Sequence, residues 1–203
     1  DYEEWVLSLN VFPMEKDDYF LQPTKPEFNK ILKEYSQGNS LDIGYGSGNY
    51  TIKMAKKGLK VTAVDFVNPK ILKMKIKGKS YEKNIHIVKK DLKFYTLNKS
   101  FDIIIAKDVL LYLPNEKVFK IIRHFADKTK INGTNYIAFH ADVDRKSLEG
   151  ENILDENASN LTKKEFIQGI KKIYRGWKLN INSKRQKTDG EYLFDNETEY
   201  TQF

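Results

Sequence analysis

Three glycines on alternate residues, Gly44, Gly46 and Gly48, stand between a short apolar run (Leu41, Ile43) and an amphipathic segment over residues 50–57. That order reads as strand, tight turn and helix. Glycine lets the backbone turn sharply and leaves bare peptide for a ligand to lie against. Exposed N–H groups at the start of the following helix favour a carboxylate or a phosphate. Downstream, Val61, Thr62, Ala63 and Val64 form a strand-like run that ends in Asp65 and Phe66. An acid about 20 positions beyond the first glycine, at the end of the next strand, is placed to accept hydrogen bonds from a ribose. The spacing separates two kinds of nucleotide cofactor. A dinucleotide fingerprint, G-x-G-x-x-G, would put its third glycine at position 49, where this chain has Asn49. The third glycine comes one residue early, which disfavours a nicotinamide cofactor.

Asp65, Asp91, Lys107 and His140 each follow a strand-like run. In a parallel sheet the ligand site lies outside the carboxyl ends of the strands, so these four are candidates by position. The other histidines are dispersed: His86 lies within an apolar run and His124 beside Arg123 on a helical segment. With no cysteine in the chain, disulfides, thiol catalysis and cysteine-held zinc or iron–sulfur sites are excluded, and no metal site is expected.

The loop Leu41, Asp42, Ile43, Gly44, Tyr45, Gly46, Ser47, Gly48 resembles motif I of the class I S-adenosylmethionine (SAM) methyltransferases. Lys89, Lys90, Asp91 and Leu92 resemble the segment of that family that contacts adenine. Residues 101–114, from Phe101 through Lys107, Asp108 and Tyr112 to Pro114, resemble its fourth strand and following loop. The resemblance covers roughly residues 38–139. It implies SAM as cofactor and S-adenosylhomocysteine (SAH) as product. Gly44, Tyr45, Gly46 and Gly48 would pass beneath the methionine moiety, and Asp42 would orient its amino group or the loop. Asp65 would hold the ribose hydroxyls, Phe66 would pack on adenine, and Asp91 with Leu92 would bind the adenine edge. The Lys107 backbone would meet the amino group. An aromatic N-terminal segment covers the cofactor in enzymes of this type, which makes Tyr19 and Phe20 candidates for a lid. Aromatics that merely dock the segment on the core are the bland alternative.

Methyl transfer from a sulfonium is an in-line displacement that needs alignment and exclusion of water. A thiolate, selenide or carboxylate acceptor needs no base; an alcohol or ammonium acceptor does. Candidates near the expected methyl position are Asp108, Tyr112 and His140, with Lys187 behind them. His140 could act as a base near neutral pH. A strand-end histidine bonded to backbone is the plainer reading, as is Asp108 as an N-cap and Tyr112 as core.

The elements that must position these residues alternate. Helical patterns over 27–35, 69–77 and 114–125 separate strand-like runs at 85–88, 101–106 and 136–139, with a turn at Asn132 and Gly133. Lys73, Lys75, Lys77 and Lys79 read as the solvated side of the 69–77 helix. A short helix is plausible over 2–9. Residues 141–160 are polar and acidic and read as an insertion loop. Thr162 and Glu165 form a capping box that opens a further helix. Alternation at 178–183 and 191–203 reads as two strands turning at Gly190. The expected architecture is α/β, Rossmann-like and doubly wound, with a mostly parallel seven-stranded sheet closed by an antiparallel C-terminal hairpin. An N-terminal lid segment over 1–37 would precede a methyltransferase domain over 38–203, one domain overall.

Asp18, Tyr19 and Phe20, the run Tyr174, Arg175, Gly176 and Trp177, and Thr188 with Asp189 are similar to segments of the tellurite-resistance methyltransferases. Those small enzymes act on soft nucleophiles such as tellurium or selenium oxyanions. Gln186 and Lys187 stand where that subfamily leads one to expect His-Arg.

The formal charge is +7, carried mostly by scattered lysines with only four arginines, which favours a solvated surface over a nucleic-acid face. No apolar run approaches membrane-spanning length. The first residues, with Glu3, Glu4 and Trp5, do not resemble a signal peptide, so the expected location is cytoplasmic; Asp1 points to a trimmed start. The function expected is methyl transfer to a small-molecule acceptor. Alternatives are an RNA or protein methyltransferase and a non-catalytic SAM-binding partner protein. The sequence leaves the oligomeric state open.

Overall fold

Ile103, Ile104 and Ile105 are consecutive and all fully buried, as a strand covered on both faces requires. They belong to β4 (Phe101–Lys107) of a sheet that also contains β1 (Asn39–Ile43), β2 (Lys60–Asp65), β3 (Ile85–Lys89) and β5 (Thr129–Ala138). The computed structural model describes residues 24–143, 158–188 and 198–202. The expected helix at 2–9, the lid residues Tyr19 and Phe20, most of the 141–160 loop, Asp189 and Gly190 lie outside the described residues.

The strand order is β3-β2-β1-β4-β5, and β1 pairs in parallel with β2 as β2 does with β3. The chain is thus a mostly parallel Rossmann-like α/β fold. β1 lies between β2 and β4, so the switch in strand order falls where β1 ends and the glycine turn begins. The helices are α1 (Pro26–Lys33), α2 (Asn49–Lys56), α3 (Lys70–Ile76), α4 (Asn115–Lys128) and α5 (Lys163–Ile173). They start where the sequence signals predict. Pro26 opens α1 with its ring already in helical φ, and Thr162 and Glu165 exchange the two hydrogen bonds of a capping box at α5.

The described residues form two compact units, one running to Ile105 and including Lys130–Thr134, the other holding Ala106–Thr129 and the chain from Asn135. In the first, Tyr45, Ile52, Ala63, Val67, Leu72 and Ile76 form a core cluster with Ile85 and Ile87 against it. In the second, Val118, Ile122 and Phe125 of α4 are fully buried, and α4 packs on α5.

Among the described residues the parallel sheet has five strands, not the seven expected. β7 (Lys184–Thr188) and β8 (Thr198–Gln202) pair antiparallel with each other, and β8 pairs with β6 (His140–Ala141), in a separate three-stranded sheet. The expected hairpin closing the parallel sheet is therefore not what is found, and the link between β7 and β8 lies outside the described residues. Two packing facts account for the difference. β5 ends at Ala138, and the next residue, Phe139, is fully buried and stacks on Phe166 with ring centroids 4.1 Å apart. Residues 178–183, expected as a strand, are exposed without regular structure, and Leu179 and Ile181 are over a third exposed. Asn132 does turn the backbone, with φ of 63°, but inside β5 rather than before it.

Candidate functional site

Leu41 and Ile43 are fully buried, which fixes where β1 releases the chain. Gly44, Gly46 and Gly48 then take φ of 69°, 50° and 81°, the left-handed region where a side chain is strained. The Gly44 amide donates to the Val64 carbonyl at 2.8 Å, and the Gly48 amide closes the turn on the Tyr45 carbonyl at 2.7 Å. Gly48 caps α2, and a Cβ there would lie 2.5 Å from Cδ1 of Leu72. Beneath the turn the buried Asp42 carboxylate accepts the Thr51 hydroxyl at 2.6 Å, tying strand to helix.

Asp65, at the end of β2, is buried and accepts the Gly46 amide at 2.9 Å on Oδ2 and the Val67 amide at 3.3 Å on Oδ1. Burial raises its pKa, and the hydrogen bonds from the Gly46, Val67 and Phe66 amides pull the other way without cancelling it. Tyr45 packs into the core cluster; burial and the charges of Asp65 and Asp42 raise its phenol pKa, and its buried hydroxyl has no hydrogen-bond partner among the described residues. Phe66 is 51% exposed. Asp91 is exposed and accepts the Lys93 amide at 2.8 Å, capping a short turn that includes the half-buried Leu92.

One side chain was missed. Lys75 is not on the solvated side with Lys73, Lys77 and Lys79; it is half-buried, and its ammonium donates to the Ser47 carbonyl of the glycine turn at 2.8 Å. Leu72 and Lys75, three apart on one helix, share the face turned to the loop. That spacing was the available signal, and the abundance of lysine masked it.

In the second unit, Lys107, Asp108 and His140 come together. The Lys107 ammonium pairs with Oδ2 of Asp108, and Nε2 of His140 lies 3.3 Å from Oδ1. Asp108 takes φ of 53°, and its amide donates to the Ala138 carbonyl at 3.0 Å, so the carboxylate is aimed by the end of β5. Burial works to raise its pKa, but the His140 hydrogen bond and the Lys107 charge outweigh it and hold the group at about 2. Asp108 is therefore ionised at neutral pH and a weak base. Tyr112 sits in a short turn (Leu110–Tyr112) and is 42% exposed rather than core. His86 is exposed, not structural. Among the described residues no group of three His, Cys, Asp or Glu could hold a metal ion, and no helix is long and apolar enough to cross a membrane.

Residues 12–183 match the family described as tellurite resistance protein TehB. The chain is 33% identical over 129 residues to phosphoethanolamine N-methyltransferase 1 of Triticum aestivum, covering 60% of this chain and 26% of that protein. It is 24% identical over 131 residues to the probable S-adenosyl-L-methionine-dependent methyltransferase TehB of Haemophilus influenzae (strain 10810), covering 62% of this chain and 46% of the relative. The chain thus spans about a quarter of the wheat relative and under half of the Haemophilus one. Among solved structures, TehB from Haemophilus influenzae superposes with a TM-score of 0.62 at 20% identity, over 88% of this chain and 60% of that one. A 1,6-didemethyltoxoflavin-N1-methyltransferase of Burkholderia thailandensis, solved with its substrate and SAH, gives 0.61 at 14% identity, over 99% of this chain and 85% of that one. With the family match running over most of its length, the chain belongs to the TehB family of tellurite resistance proteins, within the class I SAM-dependent methyltransferases.

Proposed function

We propose that this chain transfers a methyl group from SAM to a small-molecule acceptor. The observation that carries the reading is the bond between Asp65 and Gly46, which couples the acid after β2 to a turn of three left-handed glycines. The residues fit the cofactor. The turn presents bare backbone, Asp65 is a buried carboxylate with lone pairs left for hydroxyl donors, and Phe66 offers a half-exposed ring. When bound, SAM supplies an electrophilic methyl on a good, neutral leaving group. Gly44, Gly46 and Gly48 would hold the methionine end, Asp65 the ribose, and Phe66, Asp91 and Leu92 the adenine.

For the acceptor we assign His140 as the group that takes a proton when the nucleophile is an alcohol or an ammonium. Asp108 is its positioning residue, since a carboxylate held at a pKa of about 2 is a weak base but an effective anionic partner for an imidazole. Tyr112 would line the acceptor side. The wheat relative is named for phosphoethanolamine and the family for tellurite, so the acceptor screen includes both classes.

Calorimetric titration with SAM, SAH and NAD, each alone, tests the reading. Micromolar binding of SAM and SAH with none of NAD is expected, followed by turnover in a screen of thiols, selenite, tellurite and phosphoethanolamine. Binding of NAD alone, or of none of the three, overturns it.

A further inference from the structure

We infer that Lys75 is a positioning residue for the cofactor, holding the Ser47 carbonyl so that the glycine turn keeps the shape against which the cofactor lies. The inference rests on the SAM reading above and assigns a role to a side chain on a different helix. Its basis is the peptide between Ser47 and Gly48, which is gripped at both ends. The Gly48 amide is taken by the Tyr45 carbonyl at 2.7 Å, and the Ser47 carbonyl is taken by the Lys75 ammonium at 2.8 Å. The left-handed Gly48 on its far side gives this peptide a freedom that another residue type would not. A flip of that plane would break both bonds at once and change the surface that the turn offers a ligand.

Two further features point the same way. Leu72 fills the space where Gly48 has no Cβ, so α3 meets the turn through an apolar contact and a charged one. The lysine also carries a burial cost: desolvation lowers its pKa to about 8. An ammonium held partly out of water is retained where its hydrogen bond does work, because burying a charge is otherwise unfavourable. Asp65 restrains the same turn from β2 through the Gly46 amide, so the loop is held on one side by an anion and on the other by a cation.

The test compares the wild-type chain with Lys75→Met, Lys75→Arg and the exposed control Lys73→Met, reading the SAH dissociation constant by calorimetry and the melting temperature without ligand. Lys75→Met is expected to weaken SAH roughly tenfold, the order lost with a charge-assisted hydrogen bond. Its melting temperature should stay within a few degrees of wild type, and Lys75→Arg should recover most of the affinity. Lys73→Met should change neither. SAH binding by Lys75→Met within twofold of wild type overturns the inference while leaving the SAM reading intact. So does a fall in melting temperature that Lys75→Arg does not reverse together with the affinity, since that is a packing role. Should Lys75→Met not fold, Lys75→Gln is judged by the same outcomes. Failure of the wild-type chain to bind SAH overturns both.

Discussion

Oδ2 of Asp65 accepts the amide of Gly46 at 2.9 Å, across 19 residues of chain. The carboxylate is buried, so it is less comfortable as an anion in the folded chain than in water. It nevertheless sits where the turn's amide is aimed at it. A charge kept in an unfavourable place and tied to a binding loop is a mark of function rather than of stability.

Asp65→Asn should separate the two. The folded-state pKa lies above the unfolded one, so ionised Asp65 costs stability at neutral pH, and the cost is relieved as pH falls through the folded value toward the unfolded one. Asparagine removes the charge and keeps an acceptor for Gly46. Its melting temperature at pH 7.5 should equal or exceed that of wild type, while SAH affinity should fall roughly tenfold or more with the loss of charge-assisted bonds to the ribose. Calorimetry and thermal melts on one preparation check both.

Asp108 has the opposite sign. Its folded pKa of about 2 lies below that of an unfolded carboxylate, so its contribution is complete above the unfolded value and is lost as pH falls through about 2. Asp108→Asn should flatten the fall of melting temperature between about pH 4 and pH 2 and cost on the order of 1–2 kcal/mol at neutral pH. Asparagine tolerates the left-handed φ of this position. Asp108→Ala does not, and should cost about 1 kcal/mol more. Urea titrations of both variants at pH 7 measure the difference.

His140→Ala should discriminate between acceptors. With an alcohol or ammonium acceptor kcat should fall by about 10²–10⁴, the usual contribution of a general base. With a thiolate or selenide it should fall by less than about tenfold, because no proton need be removed. SAH affinity should be unchanged. Equal losses with both acceptor classes would assign His140 to structure rather than proton transfer.

Gly169 is a packing glycine. A Cβ there would lie 2.0 Å from Cε1 of Phe119, whose ring faces Phe166 at a centroid distance of 6.5 Å. The ring must shift to admit it, so Gly169→Ala should destabilise by about 1–3 kcal/mol through overpacking. For a chain of this size that lowers Tm by about 2–4 °C per kcal/mol. Adding Phe119→Leu should recover part of the loss, which a thermal melt of the double variant would show.

The glycine turn, the strand before it and Asp65 were legible in the sequence because their constraints are local. Left-handed φ demands glycine within a few residues of a buried strand end, and the acid follows the next strand at a near-fixed distance. The α5 capping box was legible for the same reason: Thr162 and Glu165 satisfy each other's backbone within one helical turn. Position at a strand end also singled out Lys107 and His140, and the expected methyl position singled out Asp108. Their meeting was a matter of tertiary structure, since it takes the β5 carbonyl at Ala138 to hold the Asp108 amide and bring His140 to its carboxylate. The break at Phe139 was hidden likewise, because alternation in a strand does not say which ring, here Phe166, will capture a buried phenylalanine. Lys75 was the hardest to see. In a chain rich in lysine, only the fold's placement of α3 against the turn decides which ammonium leaves water for the Ser47 carbonyl, because burial is set by neighbours distant in sequence and not by the residue's type.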